Sequence, residues 1–351
     1  MGRSRTIQAF RGAVADAKDS TPASWVDLKG LHGDGLVTSE DVTEDIKTRI
    51  AWLYHIEGMT QDEVARAVGL NRSRVLRILA AARQDGTVQI RVTTRLSRCT
   101  ALERQLESRW GLTRAIVIPE PQSEAQIPGI VGAELGAYLS KAVTSNMTIG
   151  LGWGKTLTSG LAAIEPRGID GVRVVSMLGG LTRVSAVNPS EFAWRVADRL
   201  SAECHLMAAP VFAPDARTRD SLMTHPGIAE VFGRAKNLDM AIISLGDLTP
   251  HSIFTEYGLL TKDEVTSLER AGAVGDILCH FVDAEGRVVD HPVNERVLAV
   301  HPYDLRETRN LVLASGGWHK VTVIRAALRM LKPAVLITNE TVAERLAEGA
   351  D

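Results

Sequence analysis

From residue 115 to residue 338 the chain repeats one pattern, a short apolar run followed by a stretch with helical spacing. The apolar runs are 115–118, 147–151, 172–178, 205–209, 240–245, 277–282, 311–314 and 334–338. Between them lie 130–143, 191–202, 262–270 and 321–331, whose apolar residues recur at helical spacing. Strand and helix in alternation predict an α/β domain built on a doubly wound, mostly parallel sheet. In such sheets ligands sit beyond the carboxyl ends of the strands, where Gly-rich turns lead into helices.

Several turns of that kind are present. Gly150-Leu151-Gly152-Trp153-Gly154-Lys155-Thr156 follows one apolar run and opens a helix-prone stretch. Its glycines let backbone N–H groups converge on an anion, while Lys155 adds charge and Thr156 a hydroxyl. It is not a Walker A loop, because Ile149 stands where the first glycine of that motif would be. The dinucleotide fingerprint is absent too, so neither nucleotide motif is supported. A merely tight strand-to-helix turn would also account for this loop taken alone. The second loop is Ser315-Gly316-Gly317-Trp318-His319-Lys320, again with two glycines and a lysine before a helix. Two such loops on one sheet point to a shared anionic ligand. Gly179-Gly180, Gly246-Asp247 and Gly275-Asp276 border other apolar runs, and Gly179, Gly180 and Gly246 are expected to meet the same ligand as Gly316 and Gly317. Asp276 could accept hydrogen bonds from sugar hydroxyls or simply cap a turn. His319 could be a ligand or an ordinary residue, and His280 reads as ordinary.

A different pattern precedes this domain. Residues 60–84, TQDEVARAVGLNRSRVLRILAAARQ, read as two short helices about a tight turn. Thr60 and Glu63 have the capping-box spacing, Gly69 breaks the pattern, and Asn71 recaps. Val75, Ile78, Leu79 and Ala82 mark one apolar face, leaving Arg72, Ser73, Arg74 and Arg77 free to contact something else. This is the helix-turn-helix pattern, whose second helix enters the major groove leading with its N-terminal residues. An αα-hairpin with a solvated basic face would give the same helices. Charge separates the two readings. Residues 46–98 hold ten bases against four acids, a net +6, within a chain of net charge −2. A basic island in an otherwise acidic protein is the electrostatic footprint of a duplex-binding module, so double-stranded DNA is the expected partner.

The rest sets bounds. The expected organisation is a flexible leader over 1–44, an all-α DNA-binding domain over 45–98 and an effector-binding and oligomerisation domain over 99–351. Within the middle part, 45–57 should form a leading helix and 87–92 a half-buried strand or linker. A further amphipathic helix is expected over 100–110, stopped by Gly111. With 351 residues, 45% of them hydrophobic and 23% charged, the composition is that of a globular protein with a sizeable core. No apolar run reaches bilayer length and no signal-peptide core is visible, and three scattered cysteines suit a reducing cytoplasm. No Cys or His spacing suggests a metal site, and no motif requires a cofactor.

The chain resembles the SorC family of bacterial sugar-sensing transcription regulators. The stretches that carry the resemblance are TQDEVARAVGLNRSRVLRILAAAR, IGLGWGKTL, NPSEFAWRVADRL, MAAPVFAPDARTRDSLMTHPGIAEVF, AGAVGDILCHFVDAEG, ASGGWHKVTVIRAAL and VLITNETVAERL. They span about residues 46–347, in the family's order. The resemblance implies an N-terminal helix-turn-helix followed by an effector domain like ribose-5-phosphate isomerase and glucosamine-6-phosphate deaminase. It implies a phosphorylated sugar or polyol bound across the Gly loops, with contacts from Gly152 to Thr156, Asp276 and Lys320. Homo-oligomers, often tetramers, are implied as well. The likeness is greatest to regulators of polyol, erythritol-type operons. Asn339 departs from the aspartate more usual in the family. The competing expectation is a sugar-phosphate isomerase or deaminase fused to a DNA-binding segment. Such chemistry needs paired acid and base groups, and beside Asp276, Lys155 and Lys320 the sequence offers no clear second carboxylate.

Overall fold

A computed structural model describes residues 44–88, 97–182, 187–250 and 252–348. The expected leader over 1–44 falls almost wholly outside these residues. So does most of the expected strand over 87–92, of which Thr87 and Val88 lie in bends. The chain divides into two units, one ending at Arg72 and the other beginning at Ser73.

In the first unit, helices Glu44–His55 and Gln61–Val68 follow each other. Thr60 caps the second as its spacing predicts. The Glu63 N–H donates to Thr60 Oγ1 at 3.3 Å, and the Thr60 N–H donates to Glu63 Oε2 at 2.7 Å. Gly69 ends the helix in the left-handed region at φ 69°, its N–H returning to the Ala65 carbonyl. Ile50, Ala51, Val64 and Ala65 are buried.

The second unit opens with most of the helix Arg72–Gln84, whose buried residues are Val75, Ile78, Leu79 and Ala82. These are the four that helical spacing singles out. The unit is organised on seven parallel strands: β1 (Arg114–Ile118), β2 (Thr148–Leu151), β3 (Arg173–Ser176), β4 (Glu203–His205), β5 (Met240–Ile243), β9 (Asn310–Ala314) and β10 (Val335–Asn339). Their order across the sheet is β1-β10-β9-β5-β2-β3-β4, all pairs parallel. Alternate residues face opposite sides of a strand, and two separate apolar clusters take the two sides. Ala241, Ile243, Leu311 and Leu313 belong to one, with helices Ser97–Trp110, Pro226–Ala235 and Val321–Leu331. Met240, Ile242, Val312 and Ala314 belong to the other, with helices Ile127–Ala142 and Pro189–Leu200. The sheet is therefore covered on both faces, as a parallel sheet must be.

The remaining strands form a second sheet that the apolar runs do not announce. β6 (Leu245–Gly246), β7 (Gly275–Ile277) and β8 (His280–Val282) pair antiparallel in that order. The run over 277–282 is thus a hairpin and not one strand, turning at Leu278 and Cys279 with φ 50° and 64°. Positive φ at both central residues is what a type I′ turn requires. The run over 240–245 breaks at Ser244, and the strand expected over 205–209 ends at His205.

The open edge at β1 is closed by side chains. The outward N–H groups of Ala115 and Val117 donate to Glu107 Oε1 at 2.9 Å and Glu103 Oε1 at 3.0 Å on the helix Ser97–Trp110. That helix is held in turn by the Trp110 indole N–H on the Leu346 carbonyl at 3.2 Å.

One close approach places the first Gly turn. A Cβ at Gly132 would overlap the Thr156 carbonyl and reach within 2.7 Å of the Gly160 nitrogen. The helix Ile127–Ala142 therefore lies backbone against backbone on the segment that follows β2. Replacing Gly132 by Ala should cost about 1–3 kcal/mol through overpacking, read as a lower urea midpoint. Gly129→Ala on the same helix, with open space around it, should be neutral or stabilising.

Candidate functional site

Strand order reverses between β2 and β5, and a cavity of ≈ 650 Å³ lies at the carboxyl ends there. The turn after β2 contributes Trp153, Gly154, Lys155 and Thr156, and the turn after β9 contributes Gly316, Gly317, Trp318, His319 and Lys320. The small sheet adds Gly246, Asp247 and Asp276, while Glu124, Ala125 and Ile127 come from the segment after β1.

Nine of the twelve residues expected to meet the effector line this one cavity. Gly152, Gly179 and Gly180 do not. The Gly152 N–H donates to the Ile242 carbonyl at 2.8 Å, so this glycine continues the sheet. Gly179 lies against the backbone of Ala209 and Pro210, where a Cβ would come within 2.6 Å of both carbonyl oxygens. Gly180 bridges to Pro210. Gly179 thus serves a close backbone approach, while a Cβ at Gly180 would lie 2.8 Å from Ser190 Oγ.

The polar centre is a group of charges with little access to water. Lys320 reaches the Leu245 carbonyl, Nζ donating at 2.8 Å. Burial lowers its pKa, and the charges of Asp247 and Asp276 oppose that shift. Asp276 is 2% exposed. Its Oδ2 accepts the Cys279 N–H at 2.7 Å, so it caps the hairpin turn and lines the cavity at once. Burial raises its pKa to about 7, against that hydrogen bond and the Lys320 charge. Asp247 behaves oppositely. Burial pushes it up, but hydrogen bonds from His319 and Thr249 and the charge of Lys320 outweigh this and hold it well below the ordinary value. Its Oδ1 accepts the Thr249 N–H at 2.9 Å. Asp247 is therefore a second carboxylate beside Asp276 in this cavity.

His319 stands between two carboxylates, Nδ1 at 2.8 Å from Glu124 Oε1 and Nε2 at 3.4 Å from Asp247 Oδ2. The hydrogen bond to Asp247 leads in raising its pKa, burial opposes, and Glu124 adds to the rise. Lys155 is half-exposed and pairs with Glu256 at 2.6 Å. Trp153 is buried edge-on to Phe254, centroids 5.9 Å apart. Trp318 is 67% exposed at the cavity's rim. Asp247 was signalled by its Gly-Asp pair. Glu124 had no signal, since its partner His319 is 195 residues away. His280 is buried with Nδ1 at 3.1 Å from the Leu278 carbonyl and does not line the cavity.

Of the residues expected to read DNA, Asn71, Arg72, Ser73 and Arg77 are exposed and Arg74 is half-buried. Arg72 Nε donates to Gln61 Oε1 at 3.3 Å, and its guanidinium lies 3.8 Å from Asp62.

Asp276 gives the stability a pH dependence of definite sign. Its folded pKa of about 7 exceeds the ordinary 3.8, so the folded state binds its proton more tightly. The stability this confers is complete below about pH 4 and is lost as pH rises through about 7. Asp276→Asn, which stays neutral at every pH, should therefore gain stability relative to the wild type in urea unfolding as pH rises from 4 to 8.

Comparison with known proteins agrees with the fold. A family model described as "Putative sugar-binding domain" matches residues 94–348. The erythritol catabolism regulatory protein EryD of Brucella abortus is 30% identical over 309 residues, covering 87% of this chain and 97% of that protein. The deoxyribonucleoside regulator of Bacillus subtilis is 27% identical, covering 86% and 97%. The crystal structure of the full-length sorbitol operon regulator SorC from Klebsiella pneumoniae matches with a TM-score of 0.66 and 26% identity, covering 87% of this chain and 100% of that one. The chain belongs to the sugar-binding domain family of SorC-type regulators.

Proposed function

We propose that this chain is a transcriptional regulator of a carbohydrate or polyol catabolic operon, controlled by a phosphorylated sugar or polyol in the cavity. The observation that carries the reading is the convergence of two Gly turns, two lysines and Asp276 on one space at the carboxyl edge. Lys155, Lys320 and the backbone of the turns suit a phosphate, and Asp276 and Asp247 suit hydroxyl groups. Relatives matched over 86–88% of this chain carry regulator names, which supports control of transcription over catalysis. The carboxylates support it too. Asp247 is committed to Thr249 and His319, and Asp276 to the Cys279 amide.

Operator binding belongs in this proposal to a helix-turn-helix within residues 45–98, with 99–351 as the effector and oligomerisation domain. Asn71, Arg72, Ser73, Arg74 and Arg77 would face DNA from the start of the helix Arg72–Gln84. One such motif reads few base pairs, so a homodimer or homotetramer on a roughly palindromic site follows. A cytoplasmic location completes the picture; among the described residues no helix is long and apolar enough to cross a membrane.

Two measurements test the halves separately. A melting-temperature screen against sugar and polyol phosphates should find compounds that raise the transition. Lys320→Ala should weaken such a compound about tenfold. Because Lys320 also holds the Leu245 carbonyl, Lys155→Ala serves as the surface variant and should weaken it in the same direction. Unchanged affinity in both would remove the phosphate site from these turns. For DNA, the Arg72/Arg74/Arg77 triple alanine variant should lose at least about tenfold in operator affinity by fluorescence anisotropy. If Arg74 reads a guanine, Arg74→Ala alone should cost about 1–3 kcal/mol at the specific site and relax preference there.

A further inference from the structure

Asn339 ends β10 and is fully buried. Its carboxamide faces two neighbours with opposite needs. On one side Oδ1 accepts the Gly317 N–H at 3.0 Å. On the other Nδ2 donates to Glu120 Oε2 at 2.7 Å. The same Glu120 oxygen accepts the Thr341 N–H at 3.1 Å, and the Glu120 N–H donates to Glu340 Oε2 at 3.3 Å. The donor and the carboxylate fix which way the amide points. The group also packs closely on the turn, for a Cβ at Gly316 would lie 2.6 Å from Asn339 Oδ1 and 2.7 Å from Ile127 Cγ2.

We propose that Asn339 is a positioning residue for the effector cavity, and that it must be an amide. Its two bonds tie the Gly316–Gly317 turn to the chain segment after β1. That segment brings Glu124 and Ile127 to the cavity, and the turn brings His319 and Lys320. A side chain that joins an N–H to a carboxylate must accept and donate at once, which an uncharged amide does and a carboxylate does not. An aspartate here would keep the Gly317 bond but set its second oxygen, at a fully buried position, against the exposed Glu120 carboxylate. The charged groups around that contact are Glu120 and Glu340, with Arg98 at 3.2 Å from Glu340. The glycines at 316 and 317 follow from the same device. The first admits the amide alongside it, and the second turns at φ 100° to present its N–H. The Asn339 amide and the Glu120 carboxylate work as a matched pair.

The inference rests on reading this cavity as the effector site, and the test separates the two. Calorimetric titration would use erythritol 4-phosphate and inorganic phosphate at pH 8. The proteins are the wild type, Asn339→Asp, Glu120→Gln and the double variant. Asn339→Asp should weaken binding about tenfold. Glu120→Gln alone should bind within about twofold of wild type, since its carbonyl still accepts. The double variant should recover part of the loss, because the amide introduced at position 120 then donates to the carboxylate introduced at position 339, while the Thr341 N–H loses its acceptor there. At pH 5 the single Asn339→Asp variant should also recover, its protonated carboxyl donating as the amide did. Wild-type affinity in Asn339→Asp at pH 8, or a loss that the double variant leaves in place, overturns the proposal. If Asn339→Asp does not fold, Glu120→Ala takes its place and should weaken binding about threefold; unchanged affinity again overturns it. A wild type that binds neither probe overturns the cavity reading, and this inference with it.

Discussion

An ammonium group partly withdrawn from water is stabilised by countercharge, and the carboxyl edge of this sheet is arranged around that need at Lys320. Leaving such a charge unpaired would cost several kcal/mol. Its partners do not come from the strand that leads to it. Asp247 and Asp276 flank the small antiparallel sheet, Asp276 on β7 and Asp247 directly after β6. Two negative charges round one positive leave an excess, and the surroundings decide which carboxylate yields. Asp247 has Thr249, His319 and Lys320 to hold it ionised. Asp276 is nearly sealed from water and carries the Asp247 charge beside it, so its affinity for a proton rises. Environment, acting on two identical side chains, thus separates their roles.

The parallel sheet was legible in the sequence because its strands are buried on both faces. Such strands read as continuous apolar runs, and seven of the eight runs do lie in or overlap a strand of the main sheet. The eighth misleads for the same reason. Ile277, Leu278, Cys279, His280, Phe281 and Val282 are all buried, so no polar or glycine break marks the turn within them. Type I′ turns usually announce themselves with Asn-Gly or Asp-Gly. Here Leu278 and Cys279 take the left-handed conformation inside the core, where their surroundings supply what the side chains do not favour.

The site was legible where chemistry is local and hidden where it is not. Each Gly turn and its lysine lie within six or seven consecutive residues, so spacing alone reveals them. Gly179 and Gly180 looked equivalent because a glycine that admits a ligand and one that admits another backbone read alike. Their packing against the 209–210 backbone separates the cases. Glu124, His319 and Asp247 converge from three distant parts of the chain, and no local pattern could pair them. Asn339 carries no local signal of its role, and only its neighbours explain it. A carboxylate at Glu120 makes a donor necessary at 339, and the Gly317 amide makes an acceptor necessary at the same place.

The two Gly turns meet through a third element. The helix Ile127–Ala142 presses on the turn after β2 at Gly132, where backbones touch, and on the turn after β9 through Ile127 against Gly316. Its first residue also lines the cavity. A ligand can shift such an arrangement only by as much as its contacts differ between two states. A ligand that met both turns would make such differential contacts at two points along one helix. With glycine at Gly132, Gly136 and Gly160 there is little room for that helix to absorb a displacement by rearranging side chains. A displaced turn would therefore press on the helix backbone directly. Close glycine packing thus places both turns of the cavity against one helix.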